Sequence, residues 1–249
     1  MHKAFHILNG DALRERFPSA IGGELIVARE CLSDGPVKSD GLQGLFQLRA
    51  HFLTNAYGEG TTIDYKKGTV GEFERMMRIP EGSMVTLWFE DDLFCQVNFW
   101  FCVFLLSQHT ANCSLYLARP ESHTRYGFGG LSPAQLLAAF RQKKHIKAPG
   151  QIARLWEQYS AGALQQLLAM AREIKADFPF IETAVEAYLD SLPSPGDPGR
   201  PTRALRAIME ELGTTELGPV FLAFCEREPV YGFGDLQVER LIGQILGRA

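Results

Sequence analysis

The run from Met84 to Gln96, Met-Val-Thr-Leu-Trp-Phe-Glu-Asp-Asp-Leu-Phe-Cys-Gln, constrains this chain more than any other stretch. It begins as an apolar strand, meets the acids Glu90, Asp91 and Asp92, and turns into a helix. Val97 to Leu106 is then apolar except for Asn98, and it carries Phe99, Trp100, Phe101 and Phe104. A helix that is apolar nearly all round lies in a core or crosses a membrane. Crossing takes about 20 apolar residues, and here Asp91 and Asp92 on one side and Gln108 and His109 on the other leave too few. The stretch is therefore expected as a buried helix, and strand, acid turn and helix as half of a βαβ unit.

The rest of the chain repeats the theme. Ala4 to Leu8 is a short apolar run interrupted by His6, and Asn9-Gly10-Asp11 turns it into a helix ending near Phe17. Glu24 to Ala28 is a second strand that runs out at Arg29-Glu30, and Ser114 to Ala118 is a further one. Uninterrupted apolar runs of this kind suit a parallel sheet covered on both faces. Helices are expected around Leu45 to Tyr57 and Val70 to Met77, with room for an added antiparallel edge strand. The expected fold is α/β: a Rossmann-like, mainly parallel sheet flanked by helices over residues 1–120, a helical region over 121–192, and a small helical tail over 200–249. Pro149-Gly150 and Phe178-Pro179 read as breaks in the helical region, and Leu192 to Gly199, with three prolines and two glycines, reads as a linker. Tyr-Gly-Phe-Gly occurs at Tyr126 and again at Tyr231, and each copy reads as a glycine turn before a helix.

Composition excludes several classes. The 249 residues carry a formal net charge of -4, so no global basic surface advertises nucleic acid. Three helices after a linker could form a winged-helix-like unit. From Thr202 onward, however, five arginines face seven acids, and Asp235 and Glu239 would repel phosphates from the presumptive recognition helix. The basic run Arg141 to Lys147 reads as a solvated helix end. Five cysteines without a Cys-x-x-Cys pair suit free thiols in a reducing cytoplasm, and no signal peptide is read at the N-terminus. Asn9-Gly10-Asp11 lacks the further glycines of a dinucleotide fingerprint, so no nicotinamide or flavin is expected. His6, inside a strand, is expected to be a satisfied core residue.

Ligands of open parallel sheets bind beyond the carboxyl ends of the strands. Three such ends carry polar groups: Asn9, Gly10 and Asp11; Arg29 and Glu30; and Glu90, Asp91 and Asp92 with Gln96. If the strands are neighbours, Asp11, Glu30, Glu90 and Asp92 are the candidate catalytic residues. Asp11, Glu90 and Asp92 would be ligands for a divalent cation, magnesium or manganese. Asn9, Gly10, Arg29 and Gln96 would bind the ligand. The same acids have an ordinary use as helix caps. The chemistry they point to is binding or metal-dependent turnover of a phosphorylated or nucleotide-like small molecule, whose anionic group helix N-termini would receive. The alternative is a non-catalytic regulatory or protein-interaction protein working through its C-terminal helices.

Three segments together have a family likeness: the strand ending in Asn-Gly-Asp, Arg29 to Pro36, and Leu87 to Gln96. They resemble bacterial proteins of domain-of-unknown-function family 1835. The tail, from Arg200-Pro201-Thr202-Arg203 through Gly232 to Gln237, resembles the companion C-terminal domain of unknown function 3658. The resemblance implies a cytoplasmic bacterial protein with no established activity. It also marks two departures: Ala12 where many relatives carry serine, and Asp91 where many carry histidine. Glu90, Asp92 and Gln96 keep the motif.

Overall fold

The computed structural model describes residues 3–58, 65–121 and 126–248. The apolar runs become the strands β1 (Ala4–Asn9), β2 (Glu24–Ala28), β3 (Met84–Trp88) and β4 (Ser114–Ala118), with β5 (Lys144–His145) beside them. They form one sheet in the order β2-β1-β3-β4-β5. The first four strands are parallel, and β5 adds an antiparallel edge to β4. Part of the basic run is thus a strand: α5 (Pro133–Arg141) ends at Arg141, and His145 then pairs with Tyr116. The outer edge of β2 is closed by side chains of α3 (Gly71–Met77). Glu72 accepts from Val27 N–H and Arg75 donates to the Leu25 carbonyl, which blunts an edge that could template aggregation.

Alternation along each strand sends side chains to opposite faces. Phe5, Ile7, Val85, Leu87, Leu115 and Leu117 meet one core, while Leu8, Trp88 and Ala118 meet another. The second face is covered by α1 (Asp11–Arg16) and α5. Here His6 is fully enclosed. A carbonyl can only accept and an indole N–H can only donate, so the bond of Nε2 to Gly22 O (2.9 Å) and that of Trp88 Nε1 to Nδ1 (3.2 Å) place the proton on Nε2. Burial lowers the histidine to about 4, so it stays neutral. Gly23 has φ +97, and a Cβ there would press on the His6 ring, which is why β2 can enter so closely.

The first face carries α2 (Gly41–Tyr57), α3 and α4 (Leu93–His109), and beyond α4 lie α6 (Pro149–Ala161), α7 (Leu164–Glu173) and α8 (Pro179–Ser191). Enclosed between sheet and helices, α4 is buried at twelve of its seventeen positions, as its all-round apolar pattern requires. The helical region is interrupted where the prolines stand: α5 ends at Arg141 and α7 at Glu173, and Pro149 and Pro179 each open the next helix at its first turn, where the missing N–H costs nothing. The proline-rich segment folds back on itself, Ser194 and Asp197 exchanging backbone hydrogen bonds. The helices after it are α9 (Arg200–Leu212), α10 (Leu217–Arg227) and α11 (Asp235–Ile245). Their Leu205, Ile208, Val220, Phe224, Val238 and Ile242 join the same core as the sheet's first face. No helix among the described residues is long and apolar enough to cross a membrane.

One ion pair lies inside this core. Arg49 of α2 and Glu30, just past β2, have side chains 0% and 1% exposed. Arg49 Nε donates to Glu30 Oε1 (3.0 Å) and a terminal nitrogen to Oε2 (2.9 Å); the guanidinium also reaches the carbonyls of Cys31 and Asp34. Tyr65 Oη and Cys31 N–H donate to the same carboxylate. Arg49→Met strands that carboxylate and is expected to cost about 3–5 kcal/mol in urea denaturation. Arg29→Met, which breaks a half-exposed pair with Asp11, should cost about 1 kcal/mol or less. Equal small losses would contradict the burial described here.

Candidate functional site

The strand order reverses between β1 and β3, which is where ligands of such sheets bind. Register aligns Asn9 with Ala28 and Leu8 with Trp88, so the three polar strand ends emerge side by side. They do not merge into one carboxylate cluster. Asp11 is taken by Arg29, whose Nε and one terminal nitrogen donate to it at 2.5 and 2.8 Å and hold its carboxyl below the usual range. Glu30 is consumed by Arg49 in the core, and Asp91 by Arg119 from the end of β4. The expected four-acid crevice therefore reduces to Glu90 and Asp92.

These two flank the entrance to α4. Asp92 is the helix N-cap, its Oδ1 accepting from Cys95 N–H at 2.9 Å. Glu90 Oε1 accepts from Phe128 N–H at 2.7 Å. Ligand atoms of Glu90, Asp92 and Cys95 all lie within 4.8 Å of one another. Burial, then the nearby Asp92 charge, pushes Glu90 up to about 7, against the pull of the Phe128 hydrogen bond. The same surroundings raise the buried Cys95 well above an ordinary thiol, so it stays protonated and is a poor nucleophile.

Both Tyr-Gly-Phe-Gly copies converge on this pair. Gly127 has φ +47 and Gly232 has φ +63, conformations that favour glycine. A Cβ on Gly127 would overlap the Glu90 carboxylate, and one on Gly232 would overlap that of Asp92. Each loop therefore presses its backbone against one acid. The reading of the copies as glycine turns is correct in local terms and misses what they meet. Their repetition was the only signal in the sequence. Between the loops lies a cavity of about 460 Å³, lined by Glu90, Asp92, Asn9 and Phe94 on one side and by Phe221, Phe224 and Phe233 of the tail on the other.

The residues expected to contact ligand are placed differently from one another. Gly10, φ +96, turns β1 into α1 with open space beside it. Asn9 lines the cavity, but its amide is committed: Nδ2 donates to Cys95 Sγ (3.0 Å), and Oδ1 accepts from Asn98 (2.9 Å). Arg29 is held by Asp11 and the Gly68 carbonyl. Gln96 is wholly buried, and its Nε2 donates to the Glu90 carbonyl at 2.6 Å, so it fixes the acid turn from behind. Comparison with protein-family models and with curated proteins gives no match to this chain.

Because folding raises Glu90 above its unfolded value, its contribution to stability is complete below about pH 4.5 and is lost as pH rises through about 7. Glu90→Gln cannot ionise and keeps an oxygen for Phe128 N–H. It should match the wild type near pH 4 and exceed it near pH 8 by up to about 3 kcal/mol, read from melting temperature across pH. A loss of stability near pH 8 would mark Glu90 as a structural hydrogen-bond acceptor instead.

Proposed function

We propose that the crevice over the strand ends binds a phosphorylated or nucleotide-like small molecule through a divalent cation held by Glu90 and Asp92, and that any turnover of that ligand uses these two residues. The observation that carries the reading is this carboxylate pair, held within 4.8 Å at the reversal of strand order and facing a cavity of about 460 Å³. Oxygen donors suit magnesium or manganese, whereas the protonated thiol of Cys95 does not. Asp11 leaves the proposed ligand set, since Arg29 holds it. The cation has a clear task. Asp92 already occupies the N-terminus of α4, so an anionic group approaching there meets negative charge unless a cation lies between.

A second reading, a regulatory or protein-contact role, draws on Leu212 and Leu222 of the tail, which are 42% and 45% exposed. Nucleic acid is not proposed as a partner.

Calorimetric titration of the full chain with magnesium and then manganese chloride separates the two. Saturable heat with a raised melting temperature, both abolished in Glu90→Gln, is the expected result. No heat and an unchanged melting temperature would remove the cation, and the phosphorylated-ligand reading with it, in favour of the second.

A further inference from the structure

A second cavity, of about 380 Å³, opens beside the first under the initial turn of α11. Asn9, Phe94 and Gly234 line both, so one occupant can extend across them. The walls of the second are largely apolar: Leu53 and Tyr57 from α2, Phe94 from α4 and Leu236 from α11. Most polar groups around it are already engaged. Tyr57 Oη donates to Asp34, Arg29 to Asp11 and Gly68 O, and Asn9 is tied to Cys95 and Asn98.

Gln237 is the exception. It is 5% exposed, and its Oε1 accepts from the N-cap Gly234 N–H of α11 at 3.1 Å. Only an oxygen can accept there, so the amide orientation is fixed and the other end is Nε2. Among the described residues that buried Nε2 has no hydrogen-bond partner. A buried donor without an acceptor is costly and rare in folded proteins.

We propose that this cavity is the ring subsite of the crevice, taking a planar heterocycle whose carbonyl oxygen accepts from Gln237 Nε2. Aromatic and aliphatic walls, with the charged groups at the rim mostly tied to one another, suit a flat, mostly apolar ring. Nε2 supplies donors only, so it selects a ring carrying a carbonyl there over one carrying an amino group. Nε2 is closed to solvent, so the proposed contact requires a small opening of the α11 turn toward the occupant. The inference rests on the crevice reading for the anionic end of the ligand, with the sugar or linker passing Asn9 and Phe94.

The test uses the full chain and three probes in saturation-transfer NMR: inosine, which has the ring and no phosphate; ribose 5-phosphate with magnesium, which has the phosphate and no ring; and inosine 5′-monophosphate with magnesium. Inosine is expected to bind, and the monophosphate to bind at least about tenfold tighter than ribose 5-phosphate. Gln237→Glu keeps the oxygen for Gly234 N–H and removes the donor. It should weaken inosine at least about tenfold without changing the magnesium response. Leu53→Trp, filling the cavity from the opposite wall, should also abolish inosine binding. Ribose 5-phosphate binding without inosine binding would overturn the ring subsite and leave the crevice reading standing. Inosine binding without any magnesium or ribose 5-phosphate response would support the ring subsite and remove the cation. Binding of neither probe, or undiminished inosine binding by Gln237→Glu, would overturn the proposal.

Discussion

Asn98 lies in the middle of α4, where almost every neighbour is apolar, and its side-chain amide is the joint on which the site depends. Its Oδ1 accepts from Leu32 N–H at 3.2 Å; its Nδ2 donates to the Glu30 carbonyl at 2.6 Å and to Asn9 Oδ1 at 2.9 Å. The end of β1, the exit of β2 and the loop behind it are thereby tied to one helix. The chain of bonds continues: Asn9 donates to Cys95, and Cys95 N–H donates to Asp92. In a dry interior such a network is stiff, because any broken member leaves a polar group without water to replace its partner. The acid pair is thus held by a hydrogen-bonded path that begins at a single buried amide.

Charge is then sorted around this frame. Arginines take Asp11, Glu30 and Asp91, each from a different element. The Glu30–Arg49 pair is fully desolvated, and its many hydrogen bonds offset that penalty only because all are made at once. What is left at the reversal of strand order is a glutamate raised to about 7 beside an aspartate helix cap. The backbone of two glycine loops is packed on them where any side chain would collide. Such a pair is poorly optimised for stability, because burial and the neighbouring charge disfavour the ionised form of Glu90.

Much of the fold was readable along the chain because burial on both sheet faces leaves unbroken apolar runs. Residues 84–106 are the clearest case, with strand, acid turn and enclosed helix where the pattern puts them. Asn98 was visible as the one polar residue in its run, but its role depends on three segments distant in sequence. The pairing of acids with arginines was not readable for the same reason. Arg49 reaches Glu30 only because α2 packs over the end of β2, and nothing local distinguishes Glu30 from Glu90. The breaks at Pro149 and Pro179 are legible because proline disrupts a helix interior but fits its first turn, so each marks where one helix has ended and the next begins. The Tyr-Gly-Phe-Gly repeat was noticed, yet that both copies meet one pair of carboxylates is a property of the packed chain alone.

The central claim is that Glu90 and Asp92 are left facing the crevice, with Glu90 raised by its surroundings, while Asp11, Glu30 and Asp91 are held in ion pairs. Carboxyl-selective carbon NMR of the isotopically labelled full chain, followed across pH, measures this directly. The account predicts that Glu90 titrates near pH 7 and that Asp11 titrates below the usual aspartate range. A Glu90 signal titrating in the ordinary glutamate range, with Asp11 unshifted, would contradict it.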